Sequence, residues 1–203
     1  MMNGKKYNLH YLEKITDVID KALGEHPRIL AVRVDLHLSP NWFSNDMITC
    51  PVNLSENVMA RFTRSLDAKI KHYQYRSGKE GKRVHPCTLR YLWVKEIHDA
   101  VFPHYHVVLF LNKDAFRGLG NSRDKQSLWT MIVSAWLSAL GLSGYNEYSR
   151  LVHFPRHCVY MLDKNSFDYS ARHIELFSRL SYLAKERTKV YSPDKRSMGC
   201  SQK

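Results

Sequence analysis

Two histidines one residue apart, His104 and His106, begin a strongly apolar run and offer the first chemistry in this chain. Side chains at i and i+2 of a β-strand point to the same face, so both imidazoles would converge on one side of a sheet. Glu96 lies eight residues before His104, at the end of a second strand-like run. A hairpin joining the two runs would place a carboxylate beside two imidazoles. These three side chains are therefore the candidate ligands of a divalent metal ion.

The sequence leaves three points about this cluster open. The histidines can also lie on the solvated face of a half-buried strand without binding a metal. His98 is two residues beyond Glu96 and on the same strand face, so it can replace or supplement that ligand, although a hard cation prefers the carboxylate. Asp35 shares a strand face with His37, and it is either a hydrogen-bonding support for the ligands or a solvated, salt-bridged residue.

A second candidate for chemistry is Tyr182, which lies three residues before Lys185 in a basic segment. Residues at this spacing share a helix face, and Arg179 and Lys189 lie near the same face. Positive charges favour the phenolate and attract the phosphate that it would attack, so Tyr182 is a candidate nucleophile and Lys185 its helper. The alternatives are a surface tyrosine with no catalytic role, the similar Tyr11-Leu-Glu-Lys segment, and Tyr160.

The charge of the chain points to a polyanionic partner. Its formal net charge is +12, and aromatic residues are interleaved with the basic ones. Phosphate neutralisation by lysine and arginine, together with base stacking on aromatic rings, is typical of single-stranded DNA binding. One basic cluster includes Lys79, Lys82 and Arg83, and a second lies near Arg179 and Lys189. We therefore expect both clusters to contact DNA, the alternative being a basic surface without a partner.

Size and cysteine content suit one reduced, cytoplasmic domain. The chain has 203 residues, of which 44% are hydrophobic, enough for one sizeable core. No apolar run approaches the length of a transmembrane helix, and we expect no membrane association. The four cysteines are far apart and form no C-x-x-C pair, so a zinc knuckle is not expected.

Periodicity predicts an α+β fold in which helices flank an antiparallel sheet. The predicted order is helix, strand, helix, strand, strand, helix, strand, helix, followed by a mobile polar tail. The corresponding segments are residues 9–23, 29–38, 55–76, 89–96, 104–111, 128–140, 152–161 and 167–190, with the tail at 191–203.

The ordered set of Glu96, His104-Tyr-His106 and, downstream, Tyr182-x-x-Lys185 resembles the HUH endonucleases. Within that superfamily it looks most like the rolling-circle replication initiators (Rep proteins) of filamentous phages and prophages. Plasmid relaxases usually carry their tyrosine before the histidines, which argues against that branch. The resemblance implies an RRM-like palm and an endonuclease domain over residues 29–203, preceded by an N-terminal helix in residues 1–28. No P-loop motif is present, so no helicase domain is expected.

The resemblance also implies a mechanism. Glu96, His104 and His106 would hold Mg²⁺ or Mn²⁺, and Tyr182, helped by Lys185, would cut a DNA strand and remain joined to it through a 5′-phosphotyrosine. The substrate would be single-stranded DNA at a replication origin, exposed by a hairpin or by supercoiling. A host helicase and a host polymerase would complete replication.

Other functions fit parts of this pattern. A single-tyrosine HUH transposase has the same order of motifs, and a phosphodiesterase that uses water needs the metal ligands but no tyrosine. A non-catalytic, basic DNA-binding regulator needs only the charge. The sequence does not specify the origin, the oligomeric state or the type of mobile element.

Overall fold

A computed structural model describes residues 7–38, 52–53, 55, 57–96, 104–185 and 196–202. The described part contains four α-helices and six β-strands. In chain order these are α1 (Leu9–Glu25), β1 (Arg28–His37), α2 (Val58–Lys79), β2 (Arg90–Glu96), β3 (His104–Asn112), α3 (Leu128–Ala139), β4 (Val152–His153), β5 (Val159–Asp163), α4 (Tyr169–Ser181) and β6 (Met198–Cys200). Short 3-10 helices, Asn146–Leu151 and Tyr182–Ala184, precede β4 and follow α4.

All six strands form one sheet, and every described pairing is antiparallel. The strand order is β4-β1-β3-β2-β6, and β5 pairs with β1 on the same side as β4. The central strands β1 and β3 are mostly apolar because both of their faces are covered. The predicted fold class, an antiparallel sheet flanked by helices, is confirmed.

The helices form a layer on each face of the sheet. On one face, α2 and α3 pack on alternate residues of β1 and β3, including Val34, Leu36 and Val107. On the other face, α1 and α4 pack on the intervening residues, including Ala31 and Val108. This period of two decides which polar side chains of a strand meet on one face.

Four element boundaries differ from those that the sequence predicts. The segment 152–161 forms two strands instead of one, and α2 begins after Asn57 and extends to Lys79. The α-helix predicted at 167–190 covers Tyr169–Ser181 and tightens into the 3-10 helix that ends at Ala184. Part of the predicted mobile tail, Met198–Cys200, is a strand paired with β2.

Among the residues that the structure describes, no helix is long and apolar enough to span a membrane.

Candidate metal centre and tyrosine

Strand register brings the candidate ligands together. Glu96 at the end of β2 lies opposite His104 at the start of β3, and His104 lies opposite His37 at the end of β1. His106 is the next residue on the same face of β3, and its neighbour in β1 is Asp35. All five polar side chains therefore meet at one end of the sheet, on the face that α1 and α4 cover.

The carboxylate and the two imidazoles are close enough to share one ion. His106 Nε2 lies 3.2 Å from Glu96 Oε2 and 3.3 Å from His104 Nε2, while His104 Nε2 lies 3.9 Å from Glu96 Oε2. Glu96 and His106 are buried and His104 is half-buried, so the group opens to solvent on one side. One oxygen and two nitrogen donors suit a divalent cation and leave coordination positions for water or substrate. The group can bind a metal ion.

Asp35 fixes the orientation of the His106 ring by a hydrogen bond. His106 Nδ1 and Asp35 Oδ1 are 2.6 Å apart, and with Nδ1 as the donor, Nε2 faces Glu96 and His104. Burial alone would lower the pKa of His106, but its hydrogen bonds to Asp35 and Glu96 raise the pKa above the ordinary value. Burial would likewise raise the pKa of Asp35, but the hydrogen bond and charge of His106, together with Arg33 and His153, lower it. Asp35 is therefore hydrogen-bonded to His106, and its role as a support for a metal ligand stays a prediction.

The surroundings of His104 favour its neutral form. Burial lowers its pKa, and the neighbouring imidazoles of His106 and His37 lower it further. Its ring stacks on that of His37, with centroids 5.7 Å apart, which restricts the rotation of both rings. A neutral imidazole is the form that binds a metal ion.

Tyr182 and Lys185 are in direct contact. Tyr182 begins the 3-10 helix after α4 and is 49% exposed, and Lys185 Nζ lies 3.3 Å from the centroid of its ring. This is the geometry of a cation–π contact. Lys185 is also fixed by a β-bridge to Tyr7. Arg179 is exposed one turn before Tyr182, whereas Lys189 lies outside the described residues.

Tyr182 lies at the same end of the sheet as the metal ligands. Helix α1 ends beside the first residue of β2, where Glu25 Oε2 is 2.8 Å from Arg90 Nε. The first turn of α1 therefore lies on the side of Glu96. Just before this turn, the main-chain amide of Asn8 donates a hydrogen bond of 2.8 Å to the carbonyl of Ala184. Leu183 and Ala184 pack in the core on the ligand-bearing face. The chain thus carries an exposed tyrosine to the end and face of the sheet that hold the metal ligands.

The other tyrosines considered have structural environments. Tyr11 is buried in the core, and its hydroxyl is 2.7 Å from Ser197 Oγ, while the nearby Lys14 pairs with Asp17. Tyr160 is 9% exposed and packs in the core under α1 and α4. A nucleophile must reach an exposed phosphodiester, so the accessibility of Tyr182 favours it over both. His98 lies outside the described residues.

The first basic cluster lies away from this site. Lys79 is the last residue of α2, and Lys82 and Arg83 follow it; α2 packs on the opposite face of the sheet. The side chain of Gln74 in α2 donates a hydrogen bond to the carbonyl of His85. The carbonyl of Pro86 accepts one from the side chain of Asn112, which is at the opposite end of β3 from His104. Lys82 Nζ is also 2.7 Å from Glu80 Oε2, which offsets part of the positive charge. Their contact with DNA stays a prediction, at a different location from the metal ligands.

His153 is a member of the site that the sequence does not reveal. It belongs to the two-residue strand β4, and its Nδ1 lies 3.6 Å from Asp35 Oδ2. His153 is far along the chain from the other histidines of the site, and no helix or strand periodicity relates it to them. The sequence alone therefore does not predict that it lies near them. Arg33, by contrast, is spaced two and four residues from Asp35 and His37, so the period of a strand places it on their face.

Residues 2–201 match the family model described as the YagK/YfjJ C-terminal domain, and the chain belongs to this family. It is 40% identical to YagK of Escherichia coli (strain K12) over 194 residues, which cover 96% of this chain and 93% of that protein. It is 33% identical to YfjJ of the same strain over 195 residues, 95% of this chain and 93% of that one. Both relatives are described as uncharacterized. No solved structure matches the chain significantly.

Proposed function

We propose that this member of the YagK/YfjJ C-terminal domain family is a metal-dependent endonuclease that nicks and rejoins single-stranded DNA. The observation that carries the proposal is the joint presence of the ligand set Glu96, His104 and His106 and of an exposed Tyr182 at one end and one face of the sheet. The net charge of +12 supports a nucleic-acid substrate. The order of these residues, which resembles that of rolling-circle initiators, supports the reaction type.

Mn²⁺ and Mg²⁺ are the ions that we propose for the site. The carboxylate of Glu96 suits both ions, and the imidazoles of His104 and His106 make Mn²⁺ at least as suitable as Mg²⁺. When bound, such an ion polarises a phosphodiester and stabilises negative charge on the leaving oxygen.

Tyr182 is the proposed nucleophile. Its phenol loses a proton to solvent, and the phenolate oxygen forms a bond to phosphorus as the bond from phosphorus to the 3′-oxygen breaks. The 3′-oxygen takes a proton from water, leaving a free 3′-hydroxyl and a 5′-phosphotyrosine. Lys185, whose Nζ lies 3.3 Å from the ring centroid, would neutralise the phosphate that Tyr182 attacks. Arg179 offers a further positive charge one turn away.

The proposed biological role is the initiation of rolling-circle replication of a phage or other mobile element. The phosphotyrosine keeps the energy of the phosphodiester, so attack by a 3′-hydroxyl rejoins the strand without ATP. The free 3′-hydroxyl is a primer for a host polymerase. A host helicase would separate the strands, and the substrate would be origin DNA made single-stranded by a hairpin or by supercoiling.

A single-tyrosine transposase would use the same residues, and it differs in joining transposon ends to a new target. A DNA-binding regulator would need the basic charge alone. The hydrogen bond that His106 donates to Asp35 orients the imidazole. It disfavours the regulator, because binding of DNA through phosphates does not require an oriented pair of imidazoles.

A cleavage assay with matched variants tests the proposal. End-labelled single-stranded oligonucleotides that tile the DNA around the gene are incubated with protein and Mn²⁺. We expect site-specific cleavage that is abolished by EDTA and reduced at least 100-fold by His104→Ala or Glu96→Gln. His72→Ala, which removes an exposed histidine of α2, is the matched control and should cleave as wild type does.

Binding of the pool without cleavage, by wild type and by all variants, would overturn the nickase and favour the regulator.

A further inference from the structure

An irregular segment on the edge of the sheet adjoins the candidate metal centre. His153 of β4 pairs with Asp35, and Val159 of β5 pairs with Val32. The two β1 residues are three apart, whereas their partners are six apart, so residues 154–158 bulge out of the sheet edge. His157 in this segment has φ of 56°, an uncommon left-handed conformation for a residue other than glycine. We call residues 154–158 the edge bulge.

The edge bulge and the chain that leads into it are positively charged and aromatic. Arg156 and His157 of the bulge are exposed, as are Arg150 and His153 just before it. Neither arginine contacts an acidic side chain within the part of the chain that the structure describes. Glu147 is the one acidic residue between positions 141 and 159. The bulge is anchored through Phe154, whose ring lies 5.8 Å from that of Trp129, so its charges project from a fixed backbone.

This charged edge is connected to the metal ligands through Asp35. His153 Nδ1 lies 3.6 Å from Asp35 Oδ2, and the other oxygen of Asp35 contacts His106. Arg33, two residues before Asp35 on the same face of β1, has its main-chain amide bonded to the carbonyl of Cys158 in the bulge. Contacts through Asp35 and Arg33 therefore join the edge bulge to the candidate ligands.

Arg33 is a half-buried cation with few partners. Its side chain is 18% exposed, and its one ion pair among the described residues is to Asp35 Oδ1, at a long 3.5 Å. Its Nε is buried and has no hydrogen-bond partner among those residues. A guanidinium has five donors, and a buried cation that lacks hydrogen bonds costs free energy. A phosphate that accepts from the exposed part of this guanidinium would add charge-assisted hydrogen bonds to the cation.

We propose that Arg33, Arg150, His153 and the edge bulge bind the phosphates of the DNA strand that enters the metal site. The assignment rests on the proposed function and deepens it by stating which surface holds the strand next to the reacting phosphodiester. Guanidinium and imidazole donors suit phosphate oxygens, and the ring pair of Tyr145 and Tyr148, 6.2 Å apart at the start of the adjoining 3-10 helix, suits unstacked bases. These rings favour single-stranded DNA over an acidic peptide.

Equilibrium binding without chemistry tests the assignment. Fluorescence anisotropy of labelled oligothymidylate is measured with EDTA present over a series of NaCl concentrations, with wild type, Arg150→Ala/Arg156→Ala and Arg33→Gln. Removing one arginine that neutralises a phosphate should reduce the slope of log K against log salt by about 0.7. We therefore expect the slope to fall by about 1.4 in the double variant and by about 0.7 in Arg33→Gln.

The double variant Arg64→Ala/Arg123→Ala is the matched control, because it removes two exposed arginines that have no acidic contact among the described residues. It should retain the wild-type slope. Wild-type affinity and slope in the Arg150/Arg156 variant, or no binding of oligothymidylate by wild type, would overturn the assignment. Equal affinity for poly-glutamate would also overturn it, by identifying a general surface for acidic polymers.

Because EDTA prevents metal-dependent cleavage, these results do not depend on the nicking assay. A reduced slope in the variants of a protein that never cleaves DNA would refute the proposed function and leave this surface as a DNA-binding one.

Discussion

Asp35 is the residue on which the electrostatics of the site depend. Its two oxygens face His106 at 2.6 Å, Arg33 at 3.5 Å and His153 at 3.6 Å, and its side chain is largely buried. A carboxylate that accepts a hydrogen bond from a ligating imidazole fixes the tautomer and makes the other ring nitrogen a better metal ligand. Asp35 thus acts on the proposed reaction through His106 and is a positioning residue.

We expect Asp35→Asn to weaken Mn²⁺ binding by about 10-fold, because an amide is a poorer acceptor for the His106 Nδ1–H than a carboxylate. Calorimetric titration of the purified protein with Mn²⁺ measures the change. His72→Gln is the control: it alters an exposed histidine of α2, on the opposite face of the sheet, and should bind Mn²⁺ as wild type does. An unchanged Mn²⁺ affinity in Asp35→Asn would mean that His106 is not a ligand oriented by Asp35.

Because the pKa of His106 is raised, its contribution to folding stability and its contribution to metal binding depend on pH with opposite signs. Without metal, protonated His106 stabilises the fold; this contribution is complete below the unfolded pKa near 6.5 and is lost as pH rises through the higher folded pKa. With metal, the imidazole must be deprotonated, so binding strengthens as pH rises. We therefore expect the increase in melting temperature produced by Mn²⁺ to grow between about pH 5.5 and pH 8.

Thermal unfolding with and without Mn²⁺ at each pH measures this increase, and His104→Ala should abolish it throughout. An increase that shrinks as pH rises would contradict the ligand role of His106.

At the level of single residues, the sequence predicts the group of Glu96, His104 and His106 that could hold a metal ion, and it misses part of the surroundings of that group. Glu96, His104 and His106 are predictable because strand periodicity and one hairpin suffice to bring them together. The approach of His153 to Asp35 depends on the pairing of β4 with β1, which joins segments more than a hundred residues apart. No local pattern encodes such a pairing.

Among the elements, the short strand β6 supports the strand that carries Glu96. Gly199 of β6 pairs with Trp93 of β2, and a Cβ at position 199 would lie 2.6 Å from two carbon atoms of the Trp93 indole. The ring of Trp93 also packs edge-on against Tyr105, so it has little room to move. Glycine at this position lets the last described strand approach the sheet.

We expect Gly199→Ala to lower the free energy of unfolding by about 1–3 kcal/mol, because the added methyl group overlaps the indole. Urea denaturation followed by tryptophan fluorescence measures the decrease. Gly118→Ala, where the added Cβ meets no atom within 4 Å, should change the stability by less than about 0.5 kcal/mol. Equal stability of the two variants would show that β6 does not pack against Trp93.

The elements that periodicity predicts well are the long ones. Helices α1 to α3 and strands β1 to β3 have apolar patterns that extend over several turns or residue pairs, and each lies close to its predicted position. The predicted tail at 191–203 is polar, and its strand Met198–Cys200 forms because the edge of β2 offers free hydrogen-bonding groups. Tertiary pairing of this kind overrides local composition.

At the scale of the whole molecule, two of the basic regions that the structure describes lie far from each other. Arg33 and the edge bulge adjoin the metal ligands, whereas Lys79, Lys82 and Arg83 lie on the opposite face at the other end of the sheet. One short strand of DNA cannot contact both regions. The predicted contact of the second region with DNA therefore requires a longer substrate that passes around the protein.

We expect Lys79→Ala/Arg83→Ala to weaken the binding of a long single-stranded oligonucleotide and to leave the binding of a short one unchanged, because only the long one reaches both regions. Anisotropy titrations at constant salt with both lengths make the comparison. Lys82 is left in place because its ion pair with Glu80 already offsets its charge. Equal weakening for the two lengths would indicate that the second region lies on the path of the short strand after all.

The central claim is that Tyr182 becomes covalently joined to DNA, and a denaturing gel of the protein–DNA adduct tests it most directly. Protein is incubated with Mn²⁺ and labelled single-stranded oligonucleotides, then denatured and separated. We predict a labelled band at the mass of protein plus DNA that is absent with EDTA and in Tyr182→Phe. Tyr75→Phe is the matched control, an exposed tyrosine on α2 with Lys79 over its ring, and it should retain the band. An adduct that persists in Tyr182→Phe, or cleavage by wild type with no adduct, would contradict the account.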